Sequence, residues 1–178
     1  MEASANTLRR FDASQGPRLI PPDGGKAVDL GLLGVRFMAW TEETGEGFSL
    51  VEHPIPPRHL AGPVHRHSRE DEYSFVLEGH MGALLGDDTV HAEVGDFVFK
   101  PRDQWHTFWN AGDEPCRILE IISPGGFEHF FDEVAELQQQ PDFSPEMIGP
   151  LGARYGLEYD FERVPALCEE HGLVFPLG

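Results

Sequence analysis

Two stretches decide how this chain is read: Gly62-Pro-Val-His65-Arg-His67-Ser-Arg-Glu-Asp-Glu72, with Glu78-Gly79 behind it, and Gly95-Asp-Phe-Val-Phe-Lys-Pro101-Arg-Asp-Gln-Trp-His106-Thr-Phe-Trp-Asn110. His65 and His67 are two apart, so on a strand both imidazoles leave the same face, with Cα atoms roughly 6.6 Å apart. Glu72 follows His67 by an odd number of positions, and an uninterrupted strand would turn it away. The polar run Ser68-Arg69-Glu70-Asp71 must therefore hold a turn or bulge that restores its direction. His106 emerges after Pro101 on a separate strand, expected to reach across from the other side of a barrel. Three neutral imidazoles and a carboxylate form a mixed N/O donor set. Such a set suits one divalent transition metal ion (Fe, Mn, Co, Ni, Cu or Zn) and leaves positions for water or substrate.

On both sides of these stretches the sequence reads as short strands. Leu33–Trp40, Gly47–His53, Tyr73–Leu77, Met81–Leu85, Thr89–Val94, Phe97–Phe99, His106–Trp109 and Arg117–Ile122 are runs set mostly between Gly, Pro, Asp or Asn. About eight strands at this spacing predict an all-β barrel or sandwich over residues 33–124. Residues 1–32, broken by Pro17, Pro21-Pro22 and Gly24-Gly25, predict an N-terminal arm. Residues 125–178 predict a C-terminal helical extension. There Phe127, Phe130, Phe131, Val134 and Leu137 keep helical spacing, Ser144-Pro145-Glu146 reads as a helix start, and a last helix over Val164–His171 stops at Gly172. Tyr73, Phe75 and Leu77 alternate with Glu72, Ser74 and Val76, and Trp105 and Trp109 with His106 and Phe108. Apolar residues thus occupy both strand faces, and either the C-terminal helices or a second subunit must cover the outside; a homodimer is expected.

The 178 residues fit one ordinary domain, and 40% apolar composition suffices for a core. Thirteen Lys and Arg against 31 Asp and Glu leave a formal charge of −18, which repels nucleic acid and anionic membranes. No apolar run approaches a membrane span, and Arg9-Arg10 is not followed by the apolar segment of an export signal. Two cysteines, Cys116 and Cys168, give no disulfide framework, so a cytoplasmic protein is expected.

The two quoted stretches resemble the paired motifs of the cupin superfamily, small jelly-roll β-barrels. His65, His67, Glu72 and Gly79 fall on the first motif, and Gly95, Pro101, His106 and Asn110 on the second. The resemblance implies a cupin-type barrel in which His65, His67, Glu72 and His106 ligate the metal. It departs at His59 and Asp103, where glycine is usual; Asp tolerates a positive φ, so the turn at Asp103 survives. More narrowly, Pro124-Gly-Gly-Phe-Glu-His-Phe-Phe-Asp132 resembles the start of the helix in quercetin 2,3-dioxygenase-like cupins. That resemblance implies a metal-dependent dioxygenase acting on an aromatic or enolic, flavonol-like substrate, with Glu72 taking its acidic proton before dioxygen attacks. Cupins with the same ligands also serve as isomerases, cyclases, dehydratases, decarboxylases and plain binding proteins, and all of these stay open.

Other residues carry weaker signals. Glu78 and Glu120 are candidate acid/base groups beside the metal, weighed against solvated or paired acids. Phe48, Leu50, Val76, Phe97, Phe99 and Phe108 either line a cavity or fill the core. His53, His59, His80, His91, His129 and His171 read as surface or structural, Arg58 and Arg102 either steer an anionic substrate or are solvated loop residues, and Arg69, Glu70 and Asp71 read as solvated turn residues.

Overall fold

The computed structural model describes residues 16, 17 and 19–176; the rest of the expected arm, with Arg9-Arg10, lies outside the described residues. Strand β1 is Lys26–Asp29, β2 Gly34–Ala39, β3 Ser49–Ile55, β4 Val64–His67, β5 Asp71–Glu78 and β6 Met81–Leu85. They continue with β7 Asp88–Ala92, β8 Phe97–Lys100, β9 His106–Asn110, β10 Cys116–Ser123 and β11 Leu157–Asp160. One antiparallel sheet runs β1-β2-β3-β10-β5-β8, and the facing sheet runs β11-β4-β9-β6-β7. This is the all-β jelly-roll expected. Strands β1 and β11 lie outside residues 33–124 and widen the two sheets at one edge each.

The turn inferred between His67 and Glu72 is present, and it does more than bend one strand. The chain leaves the five-stranded sheet after His67 and enters the six-stranded sheet at Asp71, so Glu72 faces the imidazoles from the opposite wall. His106 departs from expectation: β9 is the direct neighbour of β4, and His65 pairs with His106 in register. The carboxylate, not the third imidazole, comes from across the barrel. Asp103 has φ of +61°, and its N–H donates to the His67 carbonyl at 2.7 Å, so the turn holds without glycine. Gly79 does need to be glycine, since a Cβ there would lie 2.5 Å from the Pro115 carbonyl oxygen.

Behind the barrel, helix α1 is Glu128–Gln138, α2 Ile148–Arg154 and α3 Val164–His171. A short 3₁₀ turn over Pro145–Met147 leads into α2, and Gly172 ends α3 in the left-handed conformation with φ of +61°. Helix α3 covers Trp109, which is buried with Leu60, Val164 and Leu167 and stacks on His171 at 4.7 Å. Trp105 lies beneath the Arg66 guanidinium at 4.9 Å. The C-terminal helices thus supply part of the expected cover. On the other sheet Phe75, Phe97 and Phe99 remain exposed at 38%, 56% and 47%, which removes the last two from the cavity lining.

Candidate metal centre

His65, His67, Glu72 and His106 converge, each offering a ligand atom within 4.8 Å of the others. The local reasons differ. Period-two geometry places His65 and His67 on β4, strand pairing sets His106 beside His65, and the change of sheet delivers Glu72. Phe127 meets the His67 ring edge-on at 4.5 Å.

Backbone carbonyls fix two of the rings. His65 Nδ1 lies 2.8 Å from the Pro63 oxygen and His106 Nδ1 3.0 Å from the Gln104 oxygen. A carbonyl can only accept, so Nδ1 carries the proton in both rings and Nε2 keeps its lone pair. Burial, above all, drives the pKa of His65 well down and lowers that of His106, which keeps both neutral. For Glu72 burial acts in the opposite sense. The positive charge of Lys100, the largest of the opposing influences, leads those that hold the carboxyl well below its usual range.

Two lone pairs therefore face each other where His106 Nε2 stands 3.2 Å from Glu72 Oε2. Among the described residues, His67 Nε2, 3.3 Å from Glu72 Oε1, has no hydrogen bond, and neither has its Nδ1, which stands 3.5 Å from the buried Glu70. Buried lone pairs that meet only other acceptors are costly, and a cation among them removes the conflict. The donor set and its surroundings fit a divalent transition metal ion.

The sequence reading missed a second layer. Lys100, 1% exposed, lies 3.0 Å from Glu72 Oε2 and 2.7 Å from Glu120 Oε1, while Ser74 Oγ donates to Glu120 Oε2 at 2.8 Å. Burial opposes the charge on Lys100, but Glu120 and Glu72 more than offset it and raise its pKa. Burial dominates at Glu120 and pushes its carboxyl up to about 7. Glu120 is a paired acid, as the second of the two readings had it, and it stands in the wall of the cavity beside the cluster, whereas Glu78 is exposed and lies 3.3 Å from Arg117. Glu70, expected in solvent, is only 5% exposed. Arg58 and Arg102 pair with Asp113 and Asp71 away from the cluster.

A cavity of about 140 Å³ opens beside the cluster, with His65, Glu72, Glu120 and His53 in its wall. That is the size class that admits a benzene ring. Its apolar wall includes Phe108, Phe127, Phe130, Phe131, Leu157 and Tyr159. Of the six lining candidates read from sequence only Phe108 belongs to it: Val76 is core, Leu50 half-buried and Phe48 exposed. Phe130 and Phe131 of α1, Phe127 just before it and Tyr159 of β11 supply much of the aromatic wall.

A small jelly-roll with a three-histidine, one-glutamate cluster defines the class. Residues 52–122 match the family described as the cupin domain. It is 32% identical over 60 residues to the tetracenomycin polyketide synthase protein TcmJ of Streptomyces glaucescens, covering 34% of this chain and 40% of that protein. The match to the polyketide synthase CurC of Streptomyces cyaneus is 32% over 60 residues, covering 34% and 39%. The matched stretch thus spans about two fifths of these curated relatives. Among solved structures, KdgF from Halomonas sp. superposes with a TM-score of 0.56 at 16% identity, covering 64% of this chain and 99% of that one. A sugar phosphate isomerase of the cupin superfamily from Silicibacter pomeroyi gives 0.53 at 18%, covering 60% and 75%. At these identities the structural likeness speaks for the fold. No helix among the described residues is long and apolar enough to cross a membrane.

Proposed function

We propose that the chain is a metal-dependent enzyme acting on a small aromatic, enolisable molecule, with the ion held by His65, His67, Glu72 and His106. The observation that carries this reading is the meeting of three imidazoles and a carboxylate beside an aromatic-walled cavity. A divalent ion bound there supplies Lewis acidity toward a substrate oxygen. The chain's own residues do the rest. The wall of Phe127, Phe130 and Phe131 binds a flat ring and excludes water. Glu72 takes an acidic proton from the substrate. Glu120, whose pKa of about 7 lets it hold or release a proton near neutrality, is the partner for proton transfer inside the cavity. Lys100 keeps the two carboxylates from repelling each other.

The two curated relatives belong to polyketide synthases, which supports a polyketide-like substrate and a redox-neutral reaction such as cyclisation, dehydration or isomerisation. The second reading is dioxygenation, favoured by the helix start Phe127-Glu-His-Phe-Phe131 and the apolar-walled cavity. One experiment separates them. Protein loaded in turn with each ion from Mn(II) to Zn(II) is supplied with aromatic 1,3-diketones and polyphenols, with and without air. Turnover without oxygen, giving products of unchanged mass or lacking water, supports the first reading. Oxygen uptake with two oxygen atoms gained supports the second. No turnover with any ion sinks both.

Self-association belongs to the same reading. Leu50, Ile121, Tyr73 and Phe99 form one cross-strand row, and Leu119, Phe75 and Phe97 another, on the outer face of the six-stranded sheet. The first row carries no charge, and the second runs on from Leu119 into Glu52, which is neutralised by Arg36 and Arg117; on a chain of −18, two like-charged copies approach most easily over this apolar side of the sheet. A dimer in sedimentation that Phe97→Lys dissociates would support this, and a monomeric native protein would end it. Both cysteines are unpaired, which fits the reducing interior of a cell.

A further inference from the structure

One polar side chain in the cavity wall has no part in the chemistry above. His53 lies on β3 opposite Ile118, on the inner face of the six-stranded sheet, and is 1% exposed. Its ring meets Phe131 edge-on at 5.2 Å and Phe108 at 6.2 Å. Nδ1 stands 3.1 Å from the Gly34 carbonyl oxygen, so the proton sits on Nδ1 and the lone pair on Nε2. Burial first, and then the charge of Lys100, bring its pKa down to about 4 against the pull of Gly34, Glu72 and Glu52, so the ring is neutral near pH 7. Among the described residues nothing hydrogen-bonds Nε2, although the ring is part of the cavity wall. A lone acceptor in an apolar wall is an incomplete arrangement. Neither Glu72 nor Glu120, the nearby acids of the cavity, is hydrogen-bonded to it. The missing donor has to come from a molecule in the cavity.

We propose that His53 Nε2 accepts a hydrogen bond from a hydroxyl of the bound molecule and so selects phenolic or enolic rings over bare ones. This rests on reading the cavity as the substrate site, and it narrows the substrate class. The ring needs one hydroxyl set toward β3, apart from the oxygen presented to the four-residue cluster. His53 is then a specificity-determining residue and does not touch the ion.

Phenol and toluene are the probes, since they share a shape and differ by hydroxyl against methyl. Their affinities are measured by NMR titration of the full chain, both free of metal and loaded with zinc. In His53→Leu the phenol-to-toluene affinity ratio falls about tenfold, one neutral hydrogen bond's worth, with toluene binding little changed. His53→Gln, which keeps an acceptor, restores part of it. In 15N-histidine-labelled native protein phenol moves the His53 Nε2 signal while toluene leaves it in place, a readout independent of whether the variants fold. A ratio unchanged in a folded His53→Leu protein, no binding of either probe, or a silent Nε2 signal overturns the proposal. Metal-free protein decides the matter apart from the enzyme reading. If the ratio falls there while no ion is bound or no substrate turns over, His53 keeps its role and the proposed function fails; metal-dependent turnover without the ratio change does the reverse.

Discussion

Lys100 Nζ lies 3.0 Å from Glu72 Oε2, so the carboxylate that faces the three imidazoles is shared with a buried ammonium. The same ammonium holds Glu120 at 2.7 Å and stands 4.4 Å from the centre of the Phe108 ring. One positive charge thus serves two buried carboxylates. Lys100→Met leaves both without it. The expected loss of stability is about 3–5 kcal/mol in urea denaturation, because the cost is that of uncompensated buried charge. Adding Glu120→Gln removes one of the stranded acids, and the double variant recovers part of the loss. Equal stability of Lys100→Met and native protein would show that the pair is not held charged.

His65 and His106 are ready for an ion without having to lose protons near neutral pH, since burial already depresses both. A divalent ion at about a hundred times its dissociation constant then stabilises the fold by about 2.7 kcal/mol. For a chain of this size that is roughly 5–10 °C in Tm. The expected result in a thermal scan is such a rise with Zn(II), Mn(II) or Ni(II) in the native protein and none in His67→Ala/His106→Ala. A rise of the same size in the double variant would place the ion elsewhere.

Much of this centre can be read from the chain because its spacing is local. His65 and His67 need only the period of a strand, and the odd step to Glu72 demands a turn wherever it falls. The five aromatic and aliphatic positions from Phe127 to Leu137 foretell α1 in the same way. What stayed hidden depends on partners far apart in the chain. Lys100 ends the run Phe97-Val-Phe-Lys100 and reads as a solvated strand tip; only the pairing of β5 with both β8 and β10 brings it to Glu72 and Glu120. Strand β11 is four residues between helices, and its edge pairing with β4 has no local signal. His53 lacks any second ligand at a telling distance. Its importance lies in a cavity to which α1 and β11 contribute part of the wall, which the strand pattern does not show.

Acid should act on this protein through His53. Its pKa is about 4 in the fold against 6.5 for the free side chain, so the unfolded chain binds the extra proton first. The stability that His53 gives by being neutral is complete above pH 6.5 and is lost as pH falls toward 4. The full difference is about 3 kcal/mol. Glu120 runs the other way, since its raised pKa of about 7 favours the fold as pH drops from 7 to 4.5. The two partly cancel in the native protein, and the contrast between native and His53→Leu isolates the first. Denaturation of the metal-free proteins at pH 7 and pH 4 should show the native chain losing about 3 kcal/mol more than the variant. Parallel losses would mean that His53 is protonated or solvated in the fold.

Phe127 joins the helix layer to the cluster. It is 3% exposed, lies parallel to Phe130 at 5.1 Å, meets Phe131 edge-on at 5.1 Å and touches the His67 ring at 4.5 Å. Truncation to alanine leaves a void that three aromatic neighbours cannot all fill, and the usual cost is about 3–5 kcal/mol. Leucine keeps most of the volume, and its cost should stay below about 1.5 kcal/mol. The ring also limits how His67 can turn, since neither His67 nitrogen has a hydrogen bond to fix it. Phe127→Ala should therefore bind zinc about tenfold or more weakly, the scale on which ligand orientation acts, with Phe127→Leu between it and the native protein. A competition titration with a chelator reads the affinity, and urea denaturation of the metal-free proteins reads the packing cost. If Phe127→Ala loses stability but holds zinc as the native chain does, the imidazole is oriented by Glu70 and Glu72 alone, and the aromatic layer serves the cavity without serving the ion.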